Sequence, residues 1–236
     1  MPALAGRRIL ITGVSRGVGL ETARLFLAEG AEILGVARDP ERLAKAQREL
    51  AAGGTRLSVL AADVSDKDAP PRIARAVEER WGALDVLFNN AGVQIDGTTR
   101  GITTGREDVL EVSLGVNLWA PYRLCRALLP ALLRGREPRV VNVSSGAGNL
   151  ASMTMTDIPT YRLSKWALNG LTLLLAGELA GKVAVNAFDP GWVKTDLGGA
   201  RAPGIPEESA RGALSLVTLP FDVGGKFWKD GTEIPF

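Results

Sequence analysis

Histidine is absent from these 236 residues. Its absence excludes histidine-based catalytic triads, imidazole metal sites and the commonest general base. A single cysteine, Cys125, excludes internal disulfides and thiolate zinc sites, and no metal is expected. Long apolar runs are missing too. The longest, residues 170–180, is too short to span a bilayer and carries Glu178, so no membrane role is expected. The net charge is +2, and the absence of any lysine/arginine run excludes a nucleic-acid footprint. The start of the chain lacks signal-peptide character, because Arg7-Arg8 leads straight into a strand-like run. A cytoplasmic, reduced location is the resulting expectation. Any catalysis must run on Tyr, Lys, Ser, Asp, Glu or a bound cofactor.

What is present alternates. Short apolar runs at residues 8–12, 32–37, 56–61, 84–89, 139–144 and 184–189, with a weaker one near 226–228, read as strands. Several are apolar on both faces, as in Ile9-Leu10-Ile11, which suits strands covered on both sides. Helical patterns fill the intervals at 17–29, 40–52, 69–81, 106–117 running into 121–133, 161–179 and 206–218. Pro121 either separates two helices or kinks one. Pro206 suits the first position of the last helix, and Glu207 and Glu208 suit its positive end. The alternation argues one α/β domain, 1–236, with a doubly wound parallel sheet and helices on both faces.

The first strand ends in Thr12-Gly13-Val14-Ser15-Arg16-Gly17-Val18-Gly19, and a helix follows at once. Glycines there permit a tight turn and let the backbone approach a pyrophosphate, while the helix start offers free N–H groups. The second strand ends in Val36-Ala37-Arg38-Asp39. Arg38 can fork onto a ribose 2′-phosphate, with Arg16 approaching from the other side, which favours NADP(H). The competing assignment, NAD(H), gives the ribose to Asp39 and leaves Arg38 solvated. After the third strand, Asp63 in Ala62-Asp63-Val64 serves either an adenine amino group or the cap of the next turn. Asn89-Asn90-Ala91-Gly92, after the fourth strand, is a turn that can pass under a cofactor ribose.

Tyr161 and Lys165 lie four residues apart in Thr160-Tyr161-Arg162-Leu163-Ser164-Lys165. On a helix they share a face, and a neighbouring ammonium is expected to draw the phenol pKa down from about 10. The fifth strand delivers Ser145 to the edge that carries the glycine turn.

Together these pieces resemble the short-chain dehydrogenase/reductase family, and within it the carbonyl-reductase-like members. The pieces are Thr12-Gly13-x3-Gly17-x-Gly19, Asp63, Asn89-Asn90-Ala91-Gly92, Asn117, Ser144-Ser145, Tyr161-x3-Lys165 and Pro190-Gly191-Trp192-Val193-x-Thr195. They run in the family's order over residues 7–236. The resemblance implies a Rossmann-type fold with about seven parallel strands. It implies reduction of a ketone or aldehyde to an alcohol, or the reverse, with a small-molecule carbonyl or alcohol as substrate. Tyr161 would be the general acid or base. Lys165 would lower its pKa and bind the nicotinamide ribose, Ser145 would hold the substrate oxygen, and Asn117 would anchor a water that relays protons. Cofactor contacts would come from Gly13, Ser15, Arg16, Gly17, Val18, Gly19, Arg38, Asp63, Val64, Asn90, Ala91, Gly92, Tyr161, Lys165, Pro190, Gly191, Val193 and Thr195.

The chain departs from the family in three stretches. Residues 145–161 form a longer connection than usual, with Met153, Met155 and Ile158 forming either a pocket wall or a surface loop. Residues 97–105, rich in Thr and Gly, have no assignable role. Residues 196–206 stand where the family has a substrate lid, but are short and rich in Gly, Ala and Pro, which suits an open pocket. Trp192 lines that pocket or belongs to the core. The helix at 161–179 is apolar nearly all round, so burial on both sides is expected, with a homodimer or homotetramer as the candidate assembly. The apolar end, Ile234-Pro235-Phe236, packs on the domain or on a neighbour. An epimerase or dehydratase, or a non-enzymatic dinucleotide sensor or scaffold, stands as the alternative.

Overall fold

The computed structural model describes residues 2–50, 56–98 and 101–236. Seven parallel strands and one antiparallel strand form a sheet in the order β3-β2-β1-β4-β5-β6-β7-β8. These are β1 (Arg8–Thr12), β2 (Glu32–Ala37), β3 (Leu57–Ala61), β4 (Val86–Asn89), β5 (Arg139–Val143), β6 (Ala184–Asp189), β7 (Phe227–Lys229) and β8 (Thr232–Ile234). The eighth strand exceeds the expected seven. It pairs antiparallel with β7 through a two-residue turn at Asp230 and Gly231, whose φ values are 49° and 76°. Positive φ at both central residues is the geometry that matches strand twist in a tight hairpin.

The helices are α1 (Gly17–Ala28), α2 (Pro40–Glu49), α3 (Ala69–Trp81), α4 (Glu107–Leu114), α5 (Ala120–Leu132), α6 (Pro159–Glu178) and α7 (Pro206–Val217). Positions 51–52 of the expected second helix, and 99–100 of the Thr/Gly-rich stretch, lie outside the described residues. Pro206 opens α7, with Glu207 and Glu208 in its first turn. Pro121 does not interrupt the helical run. Instead a π turn at Gly115–Trp119 joins α4 to α5, with the Ala120 N–H reaching the Gly115 carbonyl five residues back. Proline has no N–H for the carbonyl four residues earlier, here that of Asn117, so the regular ladder fails at this turn.

Alternate residues of each strand feed two core layers. Ile9, Ile11, Ile33, Phe88 and Phe188 pack with Phe26 of α1 and Leu216 of α7. Phe88 meets Phe26 edge-on at 6.0 Å. On the other face Leu10, Leu34, Leu87, Val140 and Val185 pack with Ile73 of α3 and Leu124 and Leu128 of α5. Each such side chain contributes about 1.5–3 kcal/mol when fully buried. At the amino ends of the central strands Asp85, buried before β4, accepts from the Arg8 backbone (2.9 Å), the Arg8 guanidinium (2.7 and 3.0 Å) and the Arg136 N–H (2.6 Å). Burial opposes its charge, but these donors prevail and hold its pKa below the ordinary carboxylate value.

Strand order reverses between β1 and β4, which opens a crevice at the carboxyl ends of the strands. The C-terminus returns to the domain: Phe236 stacks on Phe227 at 5.4 Å, and the Asn149 side chain donates to the Pro235 carbonyl at 2.7 Å. Helix α6 buries Leu168 and Thr172 but leaves Trp166, Leu173 and Leu174 exposed, Leu174 at 75%. Within this chain, therefore, only one side of the helix is covered. Among the described residues no helix is long and apolar enough to cross a membrane.

Candidate active site

The crevice begins with the glycine turn. Gly13 and Gly17 take φ values of 72° and 55°, a region that favours glycine. A side chain at Gly19 would collide with the Gly13 carbonyl and the Asn90 carboxamide. The start of α1 has no side-chain cap and no acidic residue in its first turn, so its N–H groups face the crevice uncapped. This surface fits a dinucleotide pyrophosphate. Thr12 stitches the turn to the end of β4: its hydroxyl accepts from the Asn90 and Ala91 N–H groups at 3.1 and 3.0 Å. The Asn90 side chain donates back to the Thr12 and Gly13 carbonyls at 2.9 and 3.2 Å.

Asp39 caps α2, accepting from the Glu41 and Arg42 N–H groups at 3.0 and 3.1 Å. It is thus engaged by its own helix. Arg38 is 76% exposed, with Asp63 at 3.7 Å. Asp63 serves its own turn, accepting from the Ser65 N–H and hydroxyl at 2.9 and 2.7 Å, and Val64 is buried in the core. Arg16 pairs with Asp196 instead of reaching toward Arg38. A shallow cleft of about 370 Å³ lies beside it, lined by Ser15, Arg16, Gly17, Leu20 and Arg42 among others. A larger cleft, about 460 Å³, lies by Pro2, Arg7 and Glu137 at the far end of the strands and holds none of the catalytic candidates.

The loop after β6 reaches the same turn. Gly191 has φ 78°, Val193 bridges Gly204, and a side chain on Gly17 would meet the Thr195 methyl at 3.0 Å. The Thr195 hydroxyl accepts from the Gly198 N–H at 3.0 Å. Trp192 is 59% exposed, donating to the Gly198 carbonyl at 2.8 Å, and so does not belong to the core.

Three elements assemble the catalytic candidates. Ser145 follows β5 and Tyr161 and Lys165 lie one turn apart on α6. Asn117 sits in the π turn. The Ser145 hydroxyl, which accepts from the Ala147 N–H at 3.1 Å, is near enough to the Tyr161 phenol to act on its pKa. The Lys165 ammonium donates to the Val143 carbonyl at 2.7 Å and lies 5.6 Å from the Tyr161 ring centre. The Asn117 carboxamide makes three hydrogen bonds: it donates to the Val93 carbonyl and the Ser164 hydroxyl, each at 2.9 Å, and accepts from the Val93 N–H at 2.9 Å. A side chain at Gly92 would lie 3.3 Å from the Asn117 oxygen and 3.5 Å from the Lys165 ammonium, so the turn after β4 closes this corner.

The expected lowering of the tyrosine pKa is not what this geometry gives. Burial pushes the Tyr161 phenol up to about 12, against the opposing effect of the Ser145 hydroxyl. Burial likewise pushes the Lys165 ammonium down to about 8, partly offset by Asp189. Desolvation disfavours both charged forms, and it outweighs their proximity.

Sequence reasoning missed several supports. Gly148 lets α6 dock: a side chain there would lie 2.6 Å from the Lys165 carbonyl carbon and 2.8 Å from the Trp166 nitrogen. Asp96 caps α6 from a distance, accepting from the Thr160 and Tyr161 N–H groups at 2.8 and 3.2 Å. Ile158, which precedes that helix at φ 44°, supplies no side-chain cap. The Gly101 N–H donates to the Thr156 carbonyl at 2.7 Å, so part of the unassigned 97–105 stretch braces the 145–161 connection. That connection is ordered by two short 3₁₀ turns and by Arg162, which pairs with Asp157 at 2.6 Å.

A family model described as short chain dehydrogenase matches residues 7–205. The chain is 30% identical to a 3-oxoacyl-[acyl-carrier-protein] reductase of Thermotoga maritima, over 96% of this chain and 86% of that protein. It is 32% identical to an NADPH-dependent pterin aldehyde reductase of Arabidopsis thaliana, over 82% of this chain and 76% of that one. Among solved structures, NADPH-bound carbonyl reductase from chicken fatty liver superposes with a TM-score of 0.90 at 28% identity, covering 99% of this chain and 100% of that one. The chain belongs to the short-chain dehydrogenase family and is a nicotinamide-nucleotide-dependent oxidoreductase.

Proposed function

We propose that this protein reduces a ketone or aldehyde to an alcohol with NADPH, Tyr161 acting as the general acid. The observation that supports this reading is Tyr161 and Lys165 one turn apart on α6, the ammonium 5.6 Å from the phenol ring, with the turn that follows Ser145 packed against the same helix. When bound, the nicotinamide supplies the hydride. The carbonyl oxygen gains negative charge as it is reduced, and the Tyr161 hydroxyl delivers a proton to that oxygen. Ser145 donates a hydrogen bond to it as the charge develops. Burial keeps the phenol protonated at neutral pH, so the acid form is ready. Lys165 places its charge beside the phenolate that results. Asn117 orders the Val93 backbone, which follows the Gly92 that faces the Lys165 ammonium.

The NADPH preference is supported by Asp39 being engaged as a helix cap while Arg38 is exposed to meet a 2′-phosphate. The loops after β4, β5 and β6 present Ile95, Ile102, Leu150, Met155, Trp192 and Leu197 to solvent, which suits an apolar carbonyl compound in an open cleft. The exposed apolar strip on α6 supports a homodimer.

The test is oxidation of NADPH and NADH, followed by absorbance, with a panel of ketones, aldehydes and quinones. Net NADPH consumption exceeding that of NADH supports the reading. Turnover of a substrate without net nucleotide change would favour the epimerase or dehydratase chemistry, and nucleotide binding without turnover a sensor.

A further inference from the structure

Asp189, the last residue of β6, is buried at the inner wall of the site. One carboxylate oxygen accepts from the Gly146 N–H at 3.1 Å, and the other from the Gly191 N–H at 2.9 Å. The Gly146 turn lies directly on it, since a side chain there would approach the carboxylate at 3.2 Å. Two loops of the site, the one carrying Ser145 and the one carrying Pro190-Gly191, therefore hang on one side chain. Only a carboxylate accepts at both ends; an asparagine would turn an N–H toward one of the two donors. On the outer side Lys229 of β7 lies 3.8 Å away, half exposed. The β7–β8 hairpin carries this counter-charge.

We propose that Asp189 is a positioning residue of the reaction: it clamps the Ser145 turn to the Pro190-Gly191 loop and, balanced by Lys229, sets the charge felt at Tyr161 and Lys165. Val143, whose carbonyl holds the Lys165 ammonium at 2.7 Å, pairs in register with Phe188, the residue before Asp189, so the carboxylate stands next to that corner and favours the protonated form of both groups. Around Lys165 the ionisable neighbours are Tyr161 on its own helix and Asp189 from β6. β5 offers the Val143 carbonyl, the turn after β4 offers Gly92 and the π turn offers Asn117, all uncharged. The assignment rests on the proposed reduction for what the clamp serves, but its charge coupling is measurable without turnover.

The experiment is an NMR titration of the full chain labelled with ¹³C-lysine, the Lys165 ε-carbon signal being assigned by its loss in Lys165→Arg. The wild-type midpoint is expected near 8. Asp189→Asn is expected to lower it by about half a pH unit or more, and Lys229→Met to raise it, because removing the counter-charge strengthens the carboxylate's hold. A clamp without electrostatic influence would give no such opposed pair. An unmoved or raised midpoint in folded Asp189→Asn, or an unmoved or lowered one in Lys229→Met, would overturn the proposal. If Asp189→Asn does not fold, the surface substitution Lys229→Met decides alone. A wild-type chain that titrates as expected yet reduces no carbonyl would refute the proposed reaction and leave the coupling standing.

Discussion

Gly148→Ala is a single-methyl perturbation aimed at the joint between the Ser145 turn and α6, which carries the proposed acid. The added carbon would lie 2.6 Å from the Lys165 carbonyl carbon and 2.8 Å from its β-carbon, against an ordinary contact of 3.4 Å or more. Helix backbone cannot swing aside as a long side chain can, so α6 must withdraw by about 0.8 Å to restore contact, with an overpacking cost of about 1–3 kcal/mol. Tyr161 and Lys165 ride on that helix, while Ser145 stays with β5. A misplacement of about 1 Å between reacting groups costs on the order of 100-fold in rate. The glycine turn at the start of α1 is untouched, so NADPH affinity, read by fluorescence titration, is expected to hold within a few-fold. The assay is therefore paired: urea unfolding to confirm the fold and its modest loss, and steady-state reduction to find the drop in kcat. A folded Gly148→Ala protein with wild-type kcat would refute the claim that this contact registers the catalytic pair.

Removal of the buried Asp85 carboxylate in Asp85→Ala strips four donors of their acceptor, and urea unfolding should show a loss of about 3–5 kcal/mol. Reduction should weaken as pH rises through about 8, where the Lys165 ammonium loses its proton and ceases to stabilise the forming phenolate. The Tyr161 phenol stays protonated across that range, so a rate flat from pH 6 to about 10 would contradict the role given to Lys165. Light scattering should give the mass of a dimer, reduced to that of a monomer in Leu174→Glu. A monomeric wild type would remove the case for α6 as a subunit contact.

Much of this was legible in the chain because strands covered on both faces are written as apolar runs and the helix between Ala69 and Trp81 carries its own punctuation: Pro70 opens it and Gly82, at φ 65°, closes it. The family motifs likewise located the glycine turn, Ser145, Tyr161 and Lys165. The eighth strand was legible but unread, since Asp230-Gly231 is a strong hairpin signal between two very short segments. Other features lay beyond local pattern. The phenol pKa depends on how dry the site is, which spacing on a helix does not reveal. Asp96 and Gly148 act on residues 64 and 17 or more positions away, respectively, and Asp39 stood as the competing ribose ligand until its helix claimed it. Arg16 found a partner 180 residues on, in Asp196.

The proposed reduction depends on a proton leaving the Tyr161 oxygen for the substrate. Tyr161→Phe removes one buried oxygen and little else, so the direct measurement is its NADPH binding beside its rate of carbonyl reduction. Binding close to wild type, with turnover down by about 100-fold or more, is the expected result. A phenylalanine variant that reduces the same carbonyl at the wild-type rate would contradict it.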